Sequence, residues 1–362
     1  PATGIKGGGG GGGGRMAVIL TSGGADFSSF TATLNARGGA GNSSTNNGAA
    51  GTIYRQTTAQ GAGRGSVLVD NASQVTDVEI TTAIPAGLTW AGMPITIQNR
   101  GIIRMPSGTT LDIRAAGGGS LTSSGSGLYF SGGTFLYDAP FSLAHTAHFS
   151  GTNAWTGNVT VASGGVMTHN TDSTVETYKL DLSITGDLTV ASGGSITAYN
   201  KGYGSTLGPG KGSGGRTGGG HGGQGGNGTS KTYGNPTAPI TYGSGGSGSG
   251  SGDGNGGGAL KLTVSGVTSV AGSILATGGG SGVWGPGAGG SLWLTTGTLS
   301  GAGTISCDGA AGSASGGGGG GGRLAVILSG SGADFTGYSG SLSAKGGLGN
   351  GVENGAAGTV YQ

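Results

Sequence analysis

Eight consecutive glycines, Gly7 to Gly14, run into Arg15-Met16-Ala17-Val18-Ile19-Leu20, and nearly the same text returns far downstream. There, Gly316 to Gly322 lead into Arg323-Leu324-Ala325-Val326-Ile327-Leu328. The echo continues, with Gly24-Ala25-Asp26-Phe27 matched by Gly332-Ala333-Asp334-Phe335, and Asn47 to Tyr54 matched by Asn354 to Tyr361. Arg15 and Arg323 are 308 positions apart, Tyr54 and Tyr361 are 307, so one residue is lost in the loop between. A returning passage of this kind sets the architecture before any local reading begins.

The chain holds 95 glycines in 362 residues, several times the usual ~7%, yet only 8% of its residues are charged. Ordinary disorder couples low hydrophobicity with high net charge, so this composition argues against it. Collagen is excluded, since glycine does not recur every third residue and there are nine prolines. A net charge of +2 spread over isolated side chains leaves no footprint for nucleic acid. No apolar run reaches membrane-spanning length. The chain opens on Pro1 with no initiator Met and no charged-then-apolar leader, which suggests a removed leader or a segment of something longer. The single cysteine, Cys307, permits no internal disulfide, and its alternating neighbourhood reads as a small buried residue on a strand.

Taken in order, the chain divides into a first block at 1–54, coils with less glycine at 55–156, repeat coils with long glycine loops at 157–314, and a second copy of the first block at 315–362. Strands are expected at the apolar run after Gly14, at Phe30 to Ala36 and at Gly51 to Tyr54. Others are expected at Ser66 to Val69, Val75 to Ile80, Ile95 to Ile97, Leu111 to Ile113, Leu128 to Phe130 and Thr134 to Tyr137. All are short, β-branched and bounded by Gly, Ser and Asn. From Gly157 one phrase repeats, Asn158-Val159-Thr160-Val161-Ala162-Ser163-Gly164-Gly165, then Asp187-Leu188-Thr189-Val190-Ala191-Ser192-Gly193-Gly194. Strand, small corner, strand is the unit of a parallel β-helix, and an antiparallel sandwich would not repeat it so literally. The expected fold is therefore all-β, a parallel β-solenoid.

Between the coils lie glycine tracts at 202–226, 243–258, 278–290 and 309–322, and each returns the chain to a new apolar strand. Extended glycine helices have three residues per turn, a rise of roughly 3.1 Å and no internal hydrogen bonds, so their backbone must bond sideways. The tracts are expected to pack together as a polyglycine II bundle. Flexible loops are the alternative.

The phrases Gly-run-Arg-Leu-Ala-Val-Ile-Leu, Gly-Ala-Ala-Gly-Thr-Val-Tyr, Leu-Thr-Val-Ala-Ser-Gly-Gly-Ser-Ile and Gly-Gly-Gly-Ala-Leu-Lys-Leu-Thr-Val resemble the glycine-rich repeats of secreted bacterial surface proteins. Those are adhesin-like β-helices of the autotransporter-passenger kind. The likeness covers 157–362 and 1–54, and 55–155 only in style. It implies an extracellular or cell-surface location and a role as adhesin, matrix fibre or stalk, and it carries over no site. The tracts are also similar in type to the polyglycine bundles of a snow-flea antifreeze protein and of some phage tail-fibre tips, although the long β-rich coils here argue against ice binding.

Chemistry-bearing clusters are sparse. His145 and His148 are three apart, which on a strand puts them on opposite faces and makes a metal pair improbable. His169 and His221 are isolated, and His221, inside a glycine tract, reads as solvated. Gly252-Asp253-Gly254-Asn255-Gly256 is a single glycine/aspartate phrase without the repetition calcium needs. Lys211-Gly212-Ser213 has the wrong order for a phosphate loop. A glycan-cleaving β-helix would need clustered carboxylates, and the nearest group, Asp70, Asp77 and Glu79, reads as a solvated strand face. Asn42, Asn71, Asn158 and Asn227 head glycosylation-type triplets, which chance produces in a chain so rich in Ser and Thr. Trp90, Trp155, Trp284 and Trp293 are too dispersed for a sugar platform and read as packing residues.

No catalytic, cofactor or metal residue is assigned, and the chain reads as a non-enzyme. The duplicated blocks 1–54 and 315–362 show no polar cap, and the open strands of a solenoid invite pairing. The expected partner is another copy, joined head to tail either as a filament of identical subunits or within a tandem array. The alternative is a stalk or adhesin module that binds carbohydrate, a cell surface or ice.

Overall fold

A computed structural model describes residues 8–43, 46–75, 81–84, 93–112, 119–121, 127–137, 141–247, 254–280, 284–313 and 315–362. Among these the chain is all-β, with no α-helix and one short 3-10 turn at Thr58–Gln60. Two compact units emerge, one formed by Pro1–His148 with Ala154–Gly157, the other by Phe149–Asn153 with Asn158–Gln362.

In the first unit the strands Arg15–Ile19, Thr52–Gln56, Ser66–Asp70, Ile95–Gln98 and Gly119–Leu121 lie side by side in one sheet. All pairings in it are parallel except that of Thr52–Gln56 with Ser66–Asp70, which is antiparallel. Alternation decides which side chains go inward: Val67 and Val69, like Ile95 and Ile97, are buried while their neighbours are not. A second cluster is aromatic. Phe130, Phe135, Tyr137 and Phe141 surround the fully buried Trp155, with ring centroids 4.9 Å (Phe130) and 5.4 Å (Phe135) from it.

The second unit is a set of parallel ladders. On one face Met167, Ile196, Ile274, Ile305 and Leu342 are successive register partners. On another, Leu182, Leu262, Leu294 and Val326 stack in the same way, and Leu180, Leu260, Leu292 and Leu324 form the next column. Nearly all of these are completely buried. Each large aliphatic side chain taken from water contributes about 1.5–3 kcal/mol, so a column of like residues holds successive strands of the ladder together. The twelve-residue strand Ala259–Val270 bridges two shorter strands of the same sheet: it pairs with Leu180–Ile184 through its first half and with Leu188–Val190 through its second, with an irregularity between Val264 and Val267.

Two expectations need correction or restriction. Phe30 to Ala36 form no strand, whereas the matching Ser341–Ser343 does, because it pairs with Thr304–Ser306 and no such partner lies against Thr33 to Asn35 among the described residues. Strand formation at this text is thus decided by the neighbour and not by the text. The strand expected at Val75 to Ile80 lies outside the described residues from 76 on, as does Ile113.

Candidate functional site

The feature the sequence singled out, the glycine tract 316–322, is buried along its whole length. Its backbone donors point to three neighbours in strict rotation. Gly317 and Gly320 donate to the carbonyls of Arg216 and Gly219 at 2.9 and 2.8 Å; Gly318 and Gly321 donate to Glu353 and Ala356 at 3.1 and 2.9 Å; Gly319 and Gly322 donate to Ala310 and Cys307 at 2.9 and 2.7 Å. The partner number climbs with the donor in the first two pairs and descends in the third, so two neighbouring segments run with the tract and one runs against it. Its carbonyls accept in turn from Gly226 at Gly318, from Gly289 at Gly320 and from Gly223 at Gly321. Every buried N–H from Gly317 to Gly322 therefore finds a carbonyl on a different chain segment, which is what an extended backbone without internal bonds requires.

Only glycine permits this spacing. A Cβ at Gly318 would run into the carbonyl of Gly347, and one at Gly320 into that of Gly223.

Side chains that fasten these segments to the sheets are few and buried. Arg323, at the start of its strand, donates from Nε to the carbonyl of Tyr233 at 2.6 Å and from Nη1 to Thr359 Oγ1 at 3.3 Å. His221 is fully buried, contrary to the expectation of a solvated side chain. Its Nδ1 lies 2.9 Å from the carbonyl of Gly289, which can only accept, so Nδ1 carries the proton and Nε2 accepts from Thr241 Oγ1 at 2.9 Å. Burial pushes the imidazole pKa down to about 4. Tyr233 packs on it at 4.7 Å and donates its hydroxyl to the carbonyl of Tyr242 at 2.5 Å. The signal for Arg323 was present in the sequence, since an arginine closes the glycine run in both copies. Nothing local distinguished His221.

The remaining candidates stay apart. His148 stacks on Tyr129 at 5.9 Å, while His169 is buried, its Nδ1 2.6 Å from the carbonyl of Asn170 and its ring stacked on Tyr242 at 5.8 Å. Among the described residues no group of three or more His, Cys, Asp or Glu is placed to hold a metal. Asp70 accepts from the amides of Gln98 and Asn99 at 2.7 and 2.9 Å; Asp77, Glu79, Asp253 and Trp90 lie outside the described residues. Cys307 is buried, and burial pushes its thiol pKa well up. Asn71, one of the glycosylation-type asparagines, is buried and bonded to the backbone at Gly38 and Gly48. Trp284 is half-exposed beneath the Arg216 guanidinium at 4.6 Å. A groove of 310 Å³ in the second unit is lined by Trp293, Lys261, Asp181, Lys179, Thr152 and Ile240 among others. Its charges are paired, Lys261 with Asp181 at 3.2 Å and Lys179 with Glu176 at 2.8 Å.

No helix among the described residues is long and apolar enough to cross a membrane. Comparison of the chain with protein-family models, with curated proteins and with solved structures found no match in any of the three.

Proposed function

We propose that this chain is a structural, non-enzymatic protein of the extracellular space or cell surface, whose units join head to tail into a fibre. In this reading the parallel ladders are coils of a β-solenoid, and the glycine tracts beside them form a polyglycine II bundle. The three-residue rotation of donors along 316–322 supports the bundle, because it is the period of that helix.

One observation carries the functional reading. The strand Arg15–Ile19 pairs with Thr52–Gln56 alone, and Thr359–Tyr361 pairs with Arg323–Leu328 alone, so each leaves a backbone edge open among the described residues. Both edges are apolar: Met16, Ile19, Val360 and Tyr361 are exposed. Unpaired strand edges with apolar side chains are templates for another chain, and a contact between unlike edges propagates without closing. Electron microscopy and light scattering of the purified chain test this. Filaments that lengthen with concentration are expected, and a particle of constant mass at every concentration would end the proposal.

A further inference from the structure

The groove lined by Trp293, Lys261, Asp181, Thr152 and Ile240 lies wholly within the second unit. Its floor follows from strand register. Asp181 is the partner of Lys261, and Lys261 the partner of Trp293, on three adjacent parallel strands. The residues that flank them, Leu180 and Leu182, Leu260 and Leu262, Leu292 and Leu294, are fully buried. Alternation therefore turns Asp181, Lys261 and Trp293 to the outer face of the sheet, with ~4.8 Å from one strand to the next. Trp293 is partly exposed there.

One wall is a piece of chain laid across the same face. Ser291, two positions before Trp293, donates its hydroxyl to the carbonyl of Thr241 at 2.6 Å, and its register partner Arg323 holds the carbonyl of Tyr233. These two bonds fix the segment that carries Ile240, whose side chain is 46% exposed and lines the groove together with Trp293.

Polar groups border this apolar surface. Lys261 Nζ lies 3.2 Å from Asp181 Oδ2 and 5.6 Å from the centre of the Trp293 ring. Thr152 Oγ1 donates to the same carboxylate oxygen at 3.4 Å. Asp181 Oδ1 accepts from nothing among the described residues, and an ammonium has three hydrogens, of which the carboxylate engages one. An idle acceptor and idle donors thus stand next to each other.

These properties select a ligand. The charges of the groove are already paired, Lys261 with Asp181 and Lys179 with Glu176, so an ion would have to compete with one of the pairs. A neutral sugar ring would not. It offers a C–H face to apolar side chains, and its vicinal hydroxyls each donate and accept, which suits a carboxylate oxygen beside an ammonium. The volume of 310 Å³ is at the lower end of the ~300–1,000 Å³ of small-molecule pockets and fits a ligand of this size.

We propose that this groove is a binding subsite for one neutral sugar ring of an oligo- or polysaccharide. Trp293 and Ile240 take the C–H face, Asp181 Oδ1 accepts from one hydroxyl, and Lys261 Nζ donates to the hydroxyl beside it. Tryptophans dispersed along the chain exclude an extended row of rings, but one sugar needs only one. The site uses no strand edge and stands whether or not the chain forms fibres.

Titration calorimetry of the full chain with maltohexaose, cellohexaose and chitohexaose tests this, with hexagalacturonate as the charged comparison. At least one of the three neutral probes should bind, and more tightly than the galacturonate. Trp293→Ala and Ile240→Ser should each weaken that binding at least about tenfold. The Ile240 side chain is exposed, so its variant should melt like the unaltered chain and keeps the test readable if Trp293→Ala fails to fold. Trp284→Ala, which removes a half-exposed indole elsewhere, should bind as the unaltered chain does. The subsite is overturned if no neutral probe binds, if the galacturonate is preferred, or if binding survives Ile240→Ser unchanged or is lost in Trp284→Ala. Light scattering on the same samples keeps the two proposals apart. A monomer that binds saccharide retains the groove and ends the fibre, and filaments that bind none do the reverse.

Discussion

Arg323 Nε donates to the carbonyl oxygen of Tyr233 across 2.6 Å, and with that one bond a strand of the second unit is fastened to the segment that follows a glycine tract. The arginine is only 8% exposed, so the bond is made with little water to compete. Replacing it with methionine keeps most of the stem but orphans the Tyr233 carbonyl. Arg323→Met should therefore cost about 1–3 kcal/mol in a urea titration. Arg15→Met, at the matching exposed position, should shift the same transition by no more than about 0.5 kcal/mol.

Gly320 and Gly12 occupy matching positions in opposite surroundings. Gly320→Ala forces a Cβ against the Gly223 carbonyl and should destabilise the chain by about 1–3 kcal/mol, as overpacking does. Gly12→Ala meets nothing and restricts the unfolded chain, so it should leave the melting temperature unchanged or slightly raised. Calorimetry of the two single variants separates them.

His221 makes stability depend on acid. Its pKa falls from 6.5 to about 4 on folding because burial disfavours the charged ring. Above pH 6.5 neither state binds the proton. Between 6.5 and about 4 the unfolded chain binds it and the folded chain does not, so stability drops with pH and the loss approaches about 3 kcal/mol at the lower end. Denaturant midpoints across this window should show that slope, and His221→Asn should flatten it.

Ile274 sits in the aliphatic ladder between Ile196 and Ile305 with no exposure. Ile274→Ala should cost about 2–5 kcal/mol by chemical denaturation, the larger figure if the neighbouring strands cannot close the cavity.

Cys307 is the one thiol of the chain. Buried, with its pKa driven well up, it should resist a thiol-specific reagent in the native state and react once denaturant unfolds the chain. Mass spectrometry after brief labelling reads both conditions.

Much of this layout was legible before the structure. The phrases around Val159 and Leu188 repeat because their residues are register partners, Val159 beside Leu188 and Val161 beside Val190. The glycine tracts return to strands because those strands pair, as Ala259 does with Ser291. What escaped the sequence was environment. Met16 and Leu324 stand in the same phrase, one exposed and one buried, since burial belongs to the neighbour and not to the residue. His221 looked solvated because its flanking glycines suggest openness, whereas glycines packed by their backbones enclose a side chain as tightly as a core does. The reversal of direction between Thr52–Gln56 and Ser66–Asp70 also had no local mark.

The parallel ladders of the second unit carry one more implication. Strands that all point the same way give the stack an arrow, so its two tips cannot be equivalent. A polymer grown from such pieces would inherit that arrow, with Val360 and Tyr361 exposed at the outermost strand of the second unit's ladder. Subunit addition could then run at unequal speeds at the two tips, and a binder specific for one of them would arrest elongation there alone.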